Sequence, residues 1–253
     1  MNLLSRQPVV TVAALGAIVA LSWGYLFLAA ADMRLSMAGM DRSMSMPPKG
    51  VVDLLLLLAM WWVMMMGMML PSAAPMILTF ANVNRNRRAR GQPYVPTALF
   101  TAGYLLVWGG FSVAATLAQW ALESATLLSA MDMTVDSRLL GGFLFLAAGL
   151  YQFTPIKQAC LRFCWSPLGL VLNHWRDGAG GALRMGITHG LYCLGCCWVL
   201  MLLLFVGGVM NLLWIAGLGA IVLIEKLLPP GPWISRISGV LLTAYGFGLL
   251  VIG

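Results

Sequence analysis

The sequence predicts an all-α, polytopic transmembrane helical bundle of about seven spans, with six and eight as the limits. Three observations carry that expectation. Apolar residues make up 61% of the 253, and charged residues only 9%. Mean hydropathy is +0.90. The apolar residues also fall in long unbroken runs. A soluble domain carries roughly 45–50% apolar and about 25% charged residues, so no water-soluble surface can be assembled here. The same composition excludes a disordered chain, a collagen and a disulfide-rich secreted scaffold.

Seven segments reach or approach the ~20 apolar residues that a bilayer-crossing helix needs. They lie at 9–31, 51–80, 96–120, 138–155, 186–210, 212–228 and 237–252, the fourth and last being short. The first also resembles a signal peptide, with Arg6 ahead of it and Ala29-Ala30-Ala31 at its end. Its apolar run exceeds the ~7–15 residues of a signal-peptide core, which favours a retained helix. The whole of 1–253 then reads as one integral membrane domain. Two connecting segments stand out: a Met-rich extracytoplasmic loop at 32–50 and a basic, amphipathic cytoplasmic loop at 156–185.

The net charge of +7 points away from nucleic acid, because the basic residues sit in short segments between apolar runs. With the N-terminus placed in the cytoplasm, the inner segments hold Arg6, Arg85, Arg87, Arg88, Arg90, Lys157, Arg162, Arg176, Arg184, Lys226 and Arg236. The outer segments hold only Arg34, Arg42, Lys49 and Arg138. That asymmetry predicts a cytoplasmic N-terminus and an external C-terminus, with the lipid bilayer as the first partner. A dinucleotide fingerprint, a P-loop and a Gly-x-Ser-x-Gly elbow are all absent from the sequence.

Chemistry collects at sulfur: the chain has 18 Met and 5 Cys. Met33, Met37, Met40, Met44 and Met46 crowd the 32–50 segment, and Met131 and Met133 flank Asp132. Thioethers bind Cu(I) without losing a proton, so a flexible Met-rich segment can wrap several around one ion. Equally, Met is an adaptable filler for a loop lying on the membrane. In the second span Met60, Met64 and Met68 share a face, while further Met residues point all round it, which favours packing. Asp53 sits near its outer end, and Pro71 and Pro75 predict a kink in its inner half.

The fifth span holds the densest pattern, His189-Gly190-Leu191-Tyr192-Cys193-Leu194-Gly195-Cys196-Cys197. At about 100° per residue, His189, Cys193, Cys196 and Cys197 fall on one stripe. An imidazole and three thiols suit a soft ion, Cu(I) first and zinc second. One straight helix cannot wrap all four around a single ion, so ligands from elsewhere are expected. The alternative is that each Cys is a small buried hydrophobe. Gly186, Gly190 and Gly195 would let another helix approach closely. Glu225 at membrane depth is the expected carboxylate partner, with Lys226 either paired to it or snorkelling outward. Cys160 and Cys164, one turn apart in the 156–185 segment, either pass on a soft metal or dip into the lipid boundary. His174 lies further along that segment. An odd number of cysteines, all inside or within the membrane, argues against a disulfide framework.

Two stretches, Met64-Met65-Met66-Gly67-Met68-Met69-Leu70-Pro71-Ser72-Ala73-Ala74-Pro75 and Gly190-Leu191-Tyr192-Cys193-Leu194-Gly195-Cys196-Cys197-Trp198, followed by Glu225-Lys226, resemble a bacterial family labelled predicted metal-binding integral membrane proteins. The resemblance runs from residue 51 onward. It implies metal binding and a multi-pass fold without implying a particular activity.

The leading functional expectation is Cu(I) handling, by transport or delivery, through Met and Cys/His ligands, with a membrane complex or a metal chaperone as partner. One alternative is an accessory subunit of a larger membrane complex. Another is a metal-dependent redox enzyme, which the presence of only two His residues in the chain disfavours.

Overall fold

The computed structural model describes residues 7–39, 50–93, 95–125, 127–128, 134, 137–166, 169, 175–228 and 231–252. Its helices are α1 Gln7–Gly39, α2 Val51–Ala89, α3 Thr97–Ser124, α4 Arg138–Tyr151, α5 Pro155–Trp165, α6 Gly178–Leu202, α7 Leu204–Gly207, α8 Leu212–Leu227 and α9 Gly231–Ile252. The expected all-α polytopic bundle forms. Its outer surface exposes Leu21, Leu55, Leu106, Phe143, Leu213 and Leu241, the residue type that lipid accepts.

Among the described residues five helices are long and apolar enough to cross a membrane, or six if the bent pair α4–α5 counts as one span. Six is the lower limit of the expected number, and the expected segment without such a helix is 212–228. There α8 has 16 residues, about 24 Å at 1.5 Å per residue, against a hydrocarbon core of about 30 Å. The 138–155 segment is not straight either. Pro155 holds the preceding Thr154 in an extended conformation, with ψ 143°. The Thr154 hydroxyl then caps a new helix by accepting the Lys157 backbone N–H at 3.3 Å. As a result α4 and α5 diverge by 62°.

Two segments expected as loops are partly helical. Residues 32–39 continue α1, since no proline interrupts them, and residues 156–165 belong to α5. At 39 residues α2 is about 58 Å long, so it carries Arg85, Arg87 and Arg88 beyond any hydrocarbon layer. Asp53 has a structural task at its start, accepting the Gly50 backbone N–H at 3.2 Å, where a negative charge suits the helix dipole. The helix runs unbroken through Pro71 and Pro75. Ser72 Oγ donates to the Met69 carbonyl at 2.9 Å and Thr79 Oγ1 to the Pro75 carbonyl at 2.7 Å, local bonds beside the two missing N–H donors.

Small residues set the helix spacing. A Cβ on Gly103 of α3 or on Gly186 of α6 would strike the backbone of the other helix. Along the α4–α9 contact, Gly142 and Gly149 meet Gly246 and Gly239, so glycines seven residues apart on one helix face glycines seven apart on the other. The interior is filled by Trp61, Tyr104, Trp108, Phe80 and Phe100 together with Met64, Met65 and Met69. At one end of the bundle, Phe80 stacks on both Phe100 and Trp175. Arg87 bonds Asp177 at 2.6 Å there, tying α2 to the start of α6.

Candidate metal centre

The stripe expected on the fifth span faces the bundle interior as a set. His189 is 2% exposed, and Cys193, Cys196 and Cys197 are each 1% exposed. Gly186 and Gly190 bring α6 against α3, with Phe100, Gly103 and Val107 filling the space a Cβ would need. That contact lays the His189 ring beside Tyr104 and Phe100, at centroid distances of 5.4 and 6.1 Å. Among the described residues neither ring nitrogen of His189 has a hydrogen-bond partner, although both are buried.

One turn along α6, Cys193 Sγ lies 3.1 Å from the Tyr104 hydroxyl and 2.8 Å from Lys226 Nζ. The same ammonium stands 4.0 Å from Cys197 Sγ and 3.4 Å from Ser72 Oγ. The thiols of Cys196 and Cys197 both donate to the Cys193 carbonyl at 3.0 Å. The Cys193 and Cys197 thiols stand close enough to interact with one another. Two thiols therefore flank one cation, and the charge of Lys226 also reaches Cys164 and Cys196.

Lys226 neither pairs with Glu225 nor snorkels. Adjacent residues on a helix point about 100° apart, so the two cannot serve the same space. Lys226 faces the thiols, and Glu225 faces α5 and α9. The Glu225 carboxylate accepts from Lys157 Nζ at 2.7 Å and from Ser238 Oγ at 3.2 Å. Lys157 bonds Gln152 as well, and no part of its side chain is exposed. The Glu225 carboxylate is thus engaged by a cation on α5 and a hydroxyl on α9.

The bend after α4 brings the expected loop cysteines onto α6. Cys160 Sγ rests against Gly195, where an added Cβ would come within 2.8 Å of it. Cys164 stands close enough to Cys196 for the two thiols to interact. Three contacts hold α5 in place: Trp165 Nε1 donates to the Glu225 carbonyl at 2.8 Å, Phe163 stacks on Tyr192 at 3.9 Å, and Lys157 pairs with Glu225. All five cysteines are free thiols.

The methionines divide differently. Met60, Met64 and Met68 are buried in the hydrophobic core, and Met68 packs on Gly219 of α8. The contacts of α2 with the thiol cluster include the Ser72 hydroxyl and the Met69 carbonyl, the latter accepting from the Tyr104 hydroxyl at 3.1 Å. Met33 is half-buried on α1, and Met37 lies near the end of that helix. Met40, Met44, Met46, Met131, Met133 and His174 fall outside the described residues. Among the described residues no three His, Cys, Asp or Glu side chains gather into a ready metal-binding group, so the sulfur donors meet in pairs.

Sequence reasoning missed Lys226 facing inward, Lys157 and the Tyr104 hydroxyl. A tyrosine hydroxyl in an apolar span signals a buried partner. Thr154-Pro155 is likewise a helix-start signal that would have placed Lys157, Cys160 and Cys164 on a helix.

Residues 58–249 match the model of a family described as PpoB2, copper chaperone. The match covers about three quarters of the chain and includes His189, Lys226 and all five cysteines. No curated protein and no solved structure matches the chain. The chain belongs to this copper-chaperone family.

Proposed function

With membership of a copper-chaperone family as premise, we propose that the protein takes up Cu(I) on Cys193 and Cys197, with His189, one turn away, closing on the ion as a third donor when it binds, and hands it to an acceptor. The observation that carries this reading is His189, an imidazole one turn from a thiol, with two buried nitrogens that have no partner among the described residues. Leaving a polar group buried without a partner costs about 1–3 kcal/mol. An ion that the group receives is one of the few reasons a folded protein keeps such an arrangement.

Charge favours Cu(I) over zinc. Two thiolates and one Cu(I) sum to a single negative charge, which the ammonium of Lys226 neutralises beside them. Zn(II) in the same place would leave the set positive, an expensive state at membrane depth. Thiolates and imidazole are also the soft and borderline donors that Cu(I) prefers. A bacterial cytoplasmic membrane, with a membrane complex or a soluble metal chaperone as the acceptor, suits the one-sided distribution of basic residues.

The test is the metal content of protein purified anaerobically under reductant, wild type beside Cys193→Ser/Cys197→Ser, followed by transfer to a Cu(I) chelator. Copper without zinc in the wild type, depleted in the variant and released to the chelator, supports the reading. A wild type that binds no copper when supplied with it rejects the reading.

A further inference from the structure

We infer that α5 and α6 form a second soft-metal seat, with Cys164 and Cys196 as its two thiolate donors and Cys160 at its edge. This deepens the copper reading and rests on it. The seat would take a monovalent soft cation of the Cu(I) type, for which two thiolates are a sufficient ligand set.

Four observations converge on it. The 62° bend between α4 and α5 turns the second helix back onto α6. Cys160 and Cys164 are one turn apart and so share the face that α5 presents there. Across from them, Cys164 stands close enough to Cys196 for the two thiols to interact. Gly195, next to Cys196, has no side chain at the place where Cys160 Sγ rests. A side chain at 195 would occupy the position of that sulfur.

Packing alone accounts poorly for the arrangement. Cysteines kept as small hydrophobes belong in fully buried positions, whereas Cys160 and Cys164 are only partly buried. Partial exposure instead suits a seat that must exchange its ion. The two seats also adjoin: Cys196 and Cys197 are consecutive, and both thiols donate to the Cys193 carbonyl. Copper would move between seats by thiolate exchange, one Cu–S bond forming as another breaks. The thiol that is joined gives its proton to the thiolate that is left, and the ion stays Cu(I) throughout.

The test measures copper bound per chain in the full-length protein in detergent, supplied anaerobically with chelator-buffered Cu(I). About two ions are expected in the wild type, falling to about one in Cys160→Ser/Cys164→Ser and to about one in Cys193→Ser/Cys197→Ser. A wild type holding about one ion, kept in Cys160→Ser/Cys164→Ser and lost in Cys193→Ser/Cys197→Ser, overturns the second seat and leaves the first standing. A wild type holding none rejects the copper reading and this seat with it. Should the double serine variant not survive purification, Gly195→Ala keeps every thiol and gives the same answer. One ion should then bind about tenfold more weakly while the other is unchanged. Two unchanged affinities reject the seat.

Discussion

The ammonium of Lys226 stands 2.8 Å from Cys193 Sγ, with the lysine 6% and the cysteine 1% exposed. A cation from the last turn of α8 is thus held against a soft donor near the middle of α6. Charge-assisted hydrogen bonds of this kind are worth about 1.5–3 kcal/mol. Lys226→Met removes the charge and retains most of the bulk. It should weaken Cu(I) binding about tenfold to a hundredfold in chelator competition. Zinc should compete better in the variant than in the wild type. Equal Cu(I) affinity in the two proteins would remove Lys226 from the account.

His189→Leu separates packing from ligation. Leucine fills similar space beside Phe100 and Tyr104 and brings no unpartnered nitrogen. The apo protein should be as stable as the wild type or more so, by up to about 1–3 kcal/mol. Its affinity for Cu(I) should fall. Thermal unfolding of the apo protein, read beside competition titrations, gives both numbers. Stability that drops while Cu(I) affinity holds would make the imidazole a packing residue.

The Lys157–Glu225 pair, at 2.7 Å and buried on both sides, should show the asymmetry of buried ion pairs. Lys157→Met alone leaves a carboxylate uncompensated and should cost about 3–5 kcal/mol. Adding Glu225→Leu should recover most of that loss. Denaturation in micelles of the two single variants and the double supplies the coupling energy. A coupling near zero would mean that Gln152 and Ser238 satisfy the charges independently.

Gly103→Ala should force α3 and α6 apart, because its Cβ would overlap the α6 backbone at Leu183 and Ile187. A cost of about 1–3 kcal/mol is expected from such overpacking. Gly110→Ala serves as control on the same helix, with open space at its Cβ. There the helix propensity of alanine should give a gain of up to about 1 kcal/mol. The melting temperatures of the two variants should move in opposite directions.

The fold class and the inward stripe of α6 were legible because both depend on periodicity. Hydropathy runs mark lipid-compatible helices, and the spacing of His189, Cys193, Cys196 and Cys197 fixes a common face whatever surrounds it. Gly186, Gly190 and Gly195 were legible as places of close approach, and each meets a neighbouring helix or its side chain. Lys226 was not legible. Sequence gives the angle between Glu225 and Lys226, but only the assembled helices decide which of the two meets the thiols. The 156–185 segment misled because Lys157, Arg162 and Arg176 make it read as a surface loop, although part of it folds back onto α6. Residues 212–228 differ for another reason: hydropathy reports an apolar segment, whereas the 16 residues of α8 rise only about 24 Å.

The last turn of α8 is held from two sides at once. Glu225 is fastened to Lys157 on α5, and its neighbour Lys226 is fastened to Cys193 on α6. Consecutive side chains share one stretch of backbone, so a twist that slackens one fastening strains the other. The turn therefore acts as a yoke, and α5 and α6 feel each other's displacement through a piece of chain belonging to neither. Removing either fastening frees the yoke to settle toward the other, so damage at Cys193 should register at Lys157 on α5 through the last turn of α8, in addition to the direct packing of α5 on α6.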